Sequence, residues 1–206
     1  MAAKQTVQAL QAGSRVVICY FSAGSLESWR PDAGLVPDEA IGRPLQGWED
    51  ERWLDIMHPE VRALMRARLD RALELGCDGV EPDNVDGYDN ATGLPLNGTE
   101  QLQFNRFLAD EAHLRGLSVG LKNDLDQLTD LVDWFDWALN EECVAYDECD
   151  RLATFTEEAG KAAFHVEYVD DWADAEALAT EICGVGPALD SLVKTWDLGP
   201  EWRACP

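Results

Sequence analysis

Short apolar runs alternate along the chain with longer stretches whose apolar positions recur every three or four residues. Residues 16–21, VVICYF, form a continuous apolar run of strand length, the pattern of a strand covered on both faces. Residues 53–56, WLDI, read as a second, short strand. The next stretch opens with Pro59 and closes with Gly76, and its Val61, Leu64, Met65, Leu69, Ala72, Leu73 and Leu75 fall at helical spacing. The alternation then continues to the C-terminus. Strands are expected at 78–82, 117–121, 137–141, 162–168 and 190–196, and helices at 99–116, 124–135, 148–160 and 172–184. Thr99 is the expected N-cap of the first of these helices and Gly116 its stop. One more helix, 6–13, precedes the first strand.

Seven strands, most of them separated by a helix, predict a parallel sheet with covering helices. No linker or low-complexity segment divides residues 1–206, so one domain is expected. Polar residues collect at the C-terminal ends of the strands: Ser22, then Glu81 and Asp83, Lys122 and Asn123, Asn140 and Glu141, Glu167 and Tyr168. In a parallel barrel those ends share one face, where active sites are built. A doubly wound sheet would also use its strand ends, but the chain has no GxGxxG phosphate loop. The expected fold is therefore α/β, a TIM (β/α)8-type barrel. Seven strands is one short of closure, and a helix comes first, so the barrel reads as N-terminally shortened with its first strand upstream of Met1.

Charge narrows the partners. Forty acidic against sixteen basic residues give a net charge of −24. Nucleic acid and anionic membranes are poor partners for such a field, and a polycation is a good one; solubility alone is the plainer reading. No apolar run approaches the roughly 20 residues of a membrane span. The first residues hold no apolar core long enough for a secretory signal, which taken alone reads as cytoplasmic.

Six cysteines, with no CxxC, argue against a zinc site. Cys19, inside an apolar strand, reads as a buried thiol. Cys143 and Cys149, and Cys183 and Cys205, are plausible bridges. Asn90 (NAT) and Asn97 (NGT) are glycosylation sequons in a turn-rich loop, which fits an extracellular origin.

The densest chemistry is in CDGVEPDNVDGY, residues 77–88, which carries Asp78, Glu81, Asp83 and Asp86. Glu81, Asp83 and Asp86 are oxygen donors suited to calcium or magnesium, but the spacing fails the EF-hand pattern. They also fit a solvated or helix-capping cluster. A third reading pairs one of them with a carboxyl of the later cluster NEECVAYDEC for acid–base and nucleophilic work on a glycosidic bond, with Asp83 and Glu141 as the two.

Here the motifs VICYFSAGSLESWRPD, ERWLDI, GCDGVEPDNVDGY, GLSVGLKND and NEECVAYDEC resemble, in order, the family-114 glycoside hydrolases, the endo-α-1,4-polygalactosaminidases. The resemblance implies a (β/α)8 barrel, a secreted enzyme, and cleavage of α-1,4-linked galactosamine polymers; no cofactor or metal is expected. It places the catalytic pair on Asp83 and Glu141. A partly deacetylated galactosamine polymer is cationic, which gives the acidic charge a function. Asp83 is expected as nucleophile and Glu141 as acid/base.

Around this pair, Lys122 would keep a neighbouring carboxylate ionised, or else form an ordinary buried ion pair. Asn84, Asp86, Tyr88 and Asn123 would meet sugar hydroxyls or the amine. Tyr20 and Tyr168 would offer stacking rings or fill the core, and Glu167 would bind the amine. His113 and His165 read as structural and His58 as a turn residue. The competing class is a non-catalytic aminopolysaccharide-binding protein with an incomplete barrel. The sequence assigns no oligomeric state.

Overall fold

A computed structural model describes residues 4–186 and 188–205. The chain divides into two compact units, Met1–Lys122 and Asn123–Pro206. In the first unit the elements are α1 (Lys4–Ala12), β1 (Ile18–Ser22), β2 (Ser25–Glu27), β3 (Ile41–Leu45), β4 (Trp48–Leu54), α2 (Pro59–Leu75), β5 (Gly79–Asp83), α3 (Gly98–Leu114) and β6 (Ser118–Lys122). Strand β5 runs parallel between β1 and β6. Strand β4 lies antiparallel between β2 and β3 in a separate sheet. The second unit holds α4 (Leu128–Leu131), β7 (Trp137–Glu141), β8 (Ala162–Val169), α5 (Ala175–Ile182), β9 (Asp190–Thr195) and β10 (Arg203–Ala204). Its β7, β8 and β9 are parallel, and β10 pairs antiparallel with β9. Each unit is thus α/β with parallel strands joined through helices, the local architecture of a (β/α)8-type fold. Among the described residues no helix is long and apolar enough to cross a membrane.

Register decides which side chains can form a site. The β1–β5 ladder sets Tyr20 opposite Glu81 and Ser22 opposite Asp83. Because strand side chains alternate, these four share one face, while Phe21 and Val80 point the other way into the core, 1% and 0% exposed. Gly79 faces Ser118 in the β5–β6 ladder, so Lys122 joins the Glu81 and Asp83 face. In the second unit Glu141 lies opposite Val166 and Tyr168 opposite Lys194.

Several expectations are corrected. The 53–56 strand is the end of β4, in the antiparallel sheet rather than among the parallel strands. Leu73 is 49% exposed: it lies about 100° round the α2 helix from buried Ala72, outside the apolar stripe. Buried Arg68 takes a place on that stripe instead. The cap of α3 is Asn97, not Thr99. Asn97 Oδ1 accepts from Thr99 N and Glu100 N at 3.0 and 3.1 Å, while Glu100 reaches back to Asn97 N. The 124–135 helix shrinks to a 3-10 turn and α4, and 148–160 to a 3-10 turn and a π turn.

Cys19 is no free thiol. It is bonded to Cys77, beside Cys143–Cys149 and Cys183–Cys205. The β1–β5 pairing brings the two 6.0 Å apart at Cα across a sequence separation of 58, which no local pattern reveals. Closing so long a loop restricts the unfolded chain by about 4 kcal/mol on the chain-entropy account. Replacing both Cys19 and Cys77 by alanine is expected to remove stability of that order. Urea denaturation under oxidising conditions measures it, and an unchanged midpoint would refute it.

Candidate functional site

In the first unit, Asp83 closes β5 and gathers donors from three directions. Tyr20 Oη donates to Oδ2 at 3.0 Å, the Asn84 N–H donates to Oδ1 at 2.8 Å, and Lys122 Nζ stands 3.5 Å from Oδ1. Lys122, 5% exposed, also holds Glu81 at 3.1 Å, so one buried ammonium serves two carboxylates. The Tyr20 hydroxyl is pushed well above the usual tyrosine range, by burial first and by the Asp83 charge second. It therefore stays a donor at any working pH.

The peptide after Asp83 is held just as firmly. Asn84 has φ 58, a left-handed conformation that asparagine tolerates better than most residues. The Ala23 and Gly24 N–H groups donate to the Asp83 carbonyl at 2.8 and 3.1 Å. Asn84 Nδ2 donates to Ser22 Oγ at 2.8 Å and Ser25 Oγ at 3.3 Å. Behind the serines lies a layer of charge. Ser25 Oγ donates to Glu51, Glu27 forms a bidentate pair with Arg30 at 2.7 Å, and Arg68 donates to the Ser22 carbonyl and to Asp32. Glu27 is 2% and Glu51 6% exposed. Past Asn84, Asn105 of α3 holds the Val85 carbonyl at 2.9 Å. Asp86 and Tyr88 follow in a partly buried loop over Trp53.

In the second unit, Glu141 closes β7. Tyr168 Oη donates to its Oε1 at 2.6 Å and Asn123 Nδ2 to its Oε2 at 3.2 Å, while Asn123 Oδ1 accepts from the Glu141 N–H at 2.9 Å. Asn140 Nδ2 adds a bond to Asn123 at 3.3 Å. Asn123, at φ 49, thus clamps both the backbone and the carboxyl of Glu141. The Tyr168 ring stacks on Trp196, 4.4 Å between centroids and 21° between planes, and Trp196 is 45% exposed. The neighbouring Glu142 is pushed above the usual carboxyl range by burial and by the charges of Glu167 and Glu141.

Glu167, expected to bind the amine, is buried and held by protein partners. It is 3% exposed and receives His165 Nε2 at 2.9 Å and the Val144 N–H at 2.8 Å. Adjacent strand residues face opposite ways, so Tyr168 and Glu167 cannot both serve the Glu141 side. Glu167 instead anchors the loop after β7, with His165 bridging on to Ser191 at 3.0 Å. Cys143, Cys149 and His165 cluster within ligand distance of one another, but the two sulfurs are bonded to each other and offer no thiolate. His58 is the N-cap of α2, accepting from Glu60 N. Ser25, Glu27, Glu51 and Trp196 escaped the sequence reading, which did place Ser22 at a strand end of the site face. Only Trp196, an aromatic just past a strand end, left a visible signal.

The sequence model of glycoside-hydrolase family GH114 matches residues 1–205. Among solved structures, Aspergillus fumigatus Ega3 in complex with galactosamine superposes with TM-score 0.93 at 40% identity, covering 98% of this chain and 84% of that one. The glycoside hydrolase domain of PelA from Pseudomonas aeruginosa matches with TM-score 0.73 at 17% identity, covering 98% and 87%. Trehalulose synthase MutB from Pseudomonas mesoacidophila MX-45 matches at 0.61 and 12%, covering 93% and 51%, a likeness of fold alone. Among curated proteins, none matches significantly.

Proposed function

The chain belongs to the glycoside-hydrolase family GH114, and from that premise we propose an endo-acting hydrolase of α-1,4-linked galactosamine polymers with Asp83 and Glu141 as its two carboxyls. The observation that carries the substrate is the 40% identity to Ega3 in a structure complexed with galactosamine. No observation favours the non-catalytic alternative.

Role follows from surroundings. Asp83 has a cation and two further donors on its oxygens, which suits a group that must be an anion when it attacks. Its carboxylate attacks the anomeric carbon and forms a glycosyl ester, while Glu141 protonates the departing glycosidic oxygen. Glu141 then takes a proton from water, which releases the sugar with retained configuration. Tyr168 and Asn123 orient the Glu141 carboxyl, and the exposed Trp196 face offers a stacking surface for a sugar ring. Three disulfides support an oxidising, extracellular setting.

Reducing-end release from partly deacetylated galactosaminogalactan tests this reading, with the anomer of the first product followed by proton NMR. Retained configuration is expected. With a net charge of −24 facing a polycation, kcat/KM is also expected to fall steeply as salt rises from low to physiological strength, while kcat holds. Fully N-acetylated polymer, which carries no charge, should show no such slope. Equal slopes for both polymers would remove the electrostatic reading.

A further inference from the structure

We propose that Glu51 is a positioning residue for Asp83, acting through Ser25, Ser22 and Asn84, and that its carboxylate form sets the direction of every hydrogen bond in that chain. The proposal rests on the hydrolase reading of Asp83. The groups are enclosed: Ser22 and Ser25 are 0% and Glu51 6% exposed. With Glu51 ionised, Ser25 donates to it and Ser22 donates to Ser25 at 2.6 Å. Ser22 Oγ then accepts from Ser25 N at 3.1 Å and Asn84 Nδ2 at 2.8 Å, filling its two lone pairs. Every donor runs towards Glu51, and none is left over.

Adding a proton to Glu51 breaks this accounting. A proton on Oε2 makes that oxygen a donor, so Ser25 turns its hydrogen onto Ser22, and Ser22 then faces three donors with two lone pairs; a proton on Oε1 leaves Ser25 only a weaker, neutral acceptor. In the reversed arrangement the Ser25 amide is fixed by its strand, so the Asn84 side chain is the donor that lets go. Asn84 is also the residue whose backbone N–H holds Asp83 Oδ1. A carboxyl behind the strand ends thereby reaches the attacking oxygen through one asparagine.

The charged and titratable groups facing Glu51 are Glu27 on β2, Arg30 just after it, Asp83 on β5 and Tyr20 on β1. Burial, with Glu27 and Asp83, lifts the Glu51 carboxyl above its ordinary range, against the opposing Ser25 hydrogen bond and Arg30. The ordered chain is therefore present above that raised value and is lost as pH falls through it. Stability has the opposite sign. A carboxyl raised in the folded state favours folding when protonated, and that contribution is lost as pH rises.

The test combines kinetics with an amide titration, using wild type, Ser25→Ala, Glu51→Gln and Asp83→Asn. Ser25→Ala cuts the chain and is expected to lower kcat by about ten- to a hundredfold with KM within about twofold. Glu51→Gln keeps an acceptor but cannot titrate, so its kcat profile should lose an acid-side inflection while its neutral-pH melting point holds or rises. In nitrogen-15 spectra the Asn84 backbone and side-chain amides should titrate in wild type, with an inflection above the ordinary glutamate range, and stay flat in Glu51→Gln. Unchanged kcat in Ser25→Ala, or Asn84 signals that do not respond to Glu51, would overturn the proposal. Failure of the hydrolase reading looks different: wild type and Asp83→Asn alike release no product, while the amide titration still reports whether Glu51 holds Asn84.

Discussion

Asp83→Asn is expected to lower kcat by at least ~10³-fold, about 4 kcal/mol of barrier, with the fold intact. The amide retains the shape: its oxygen still accepts from the Asn84 N–H at the 2.8 Å position, and its NH2 donates to Tyr20 Oη with the 3.0 Å bond reversed, while the proposed nucleophile is gone. Removing the charge also takes one carboxylate from Lys122, which keeps its ion pair with Glu81. Circular dichroism and the denaturation midpoint separate lost chemistry from lost structure. The companion Glu141→Gln should fail differently. A general acid matters least when the leaving group needs no proton, so this variant should recover its first step on an aryl glycoside with an acidic phenol, whereas Asp83→Asn should not. Wild-type rates in either variant on the natural polymer would refute the assignment of that residue.

Gly24→Ala carries the largest expected structural effect. A Cβ built there lies 1.7 Å from the Asn84 carbonyl oxygen and 2.8 Å from its carbon. Both are backbone atoms, so no side chain can swing away. The segment must separate from Asn84, and with it go the two N–H bonds from Ala23 and Gly24 to the Asp83 carbonyl. A loss of about 3 kcal/mol or more is expected, together with a fall in kcat beyond what the unfolded fraction explains. Gly34→Ala is the control, because its Cβ would meet nothing within 4 Å. Native stability and rate in Gly24→Ala would show that the close approach does not govern the site.

How far the sequence foretold this molecule depends on how local the signal was. Strand β7 is found where its pattern places it, because apolar WAL followed by polar Asn-Glu is both a buried strand and its end. Asp83 and Glu141 stood out for the same reason. The antiparallel sheet was hidden: β3 is IGRPL, whose Gly and Pro read as loop, and β2 has only three residues. Glu27 and Glu51 look like solvated acids in a charged stretch, and only the β2–β4 pairing, Glu27 opposite Glu51, turns them inward. Cys19–Cys77 and Glu167 fail similarly. One needs the β1–β5 register, and the other needs the strand phase that separates Glu167 from Tyr168. Long-range pairing supplied what periodicity lacked.

Asn84 shows what such pairing demands of heredity. Its φ of 58 admits glycine, asparagine or aspartate with little strain, and its bonds to Ser22 and Ser25 require an amide donor of short reach. Glycine passes the first filter and fails the second, glutamine has the amide but neither the backbone tolerance nor the short reach, and aspartate brings an acceptor where a donor is needed. A single codon thus has one acceptable meaning. Drift at this position is closed in any lineage that keeps the serines and Asp83, and an escape route opens only by changing several positions together.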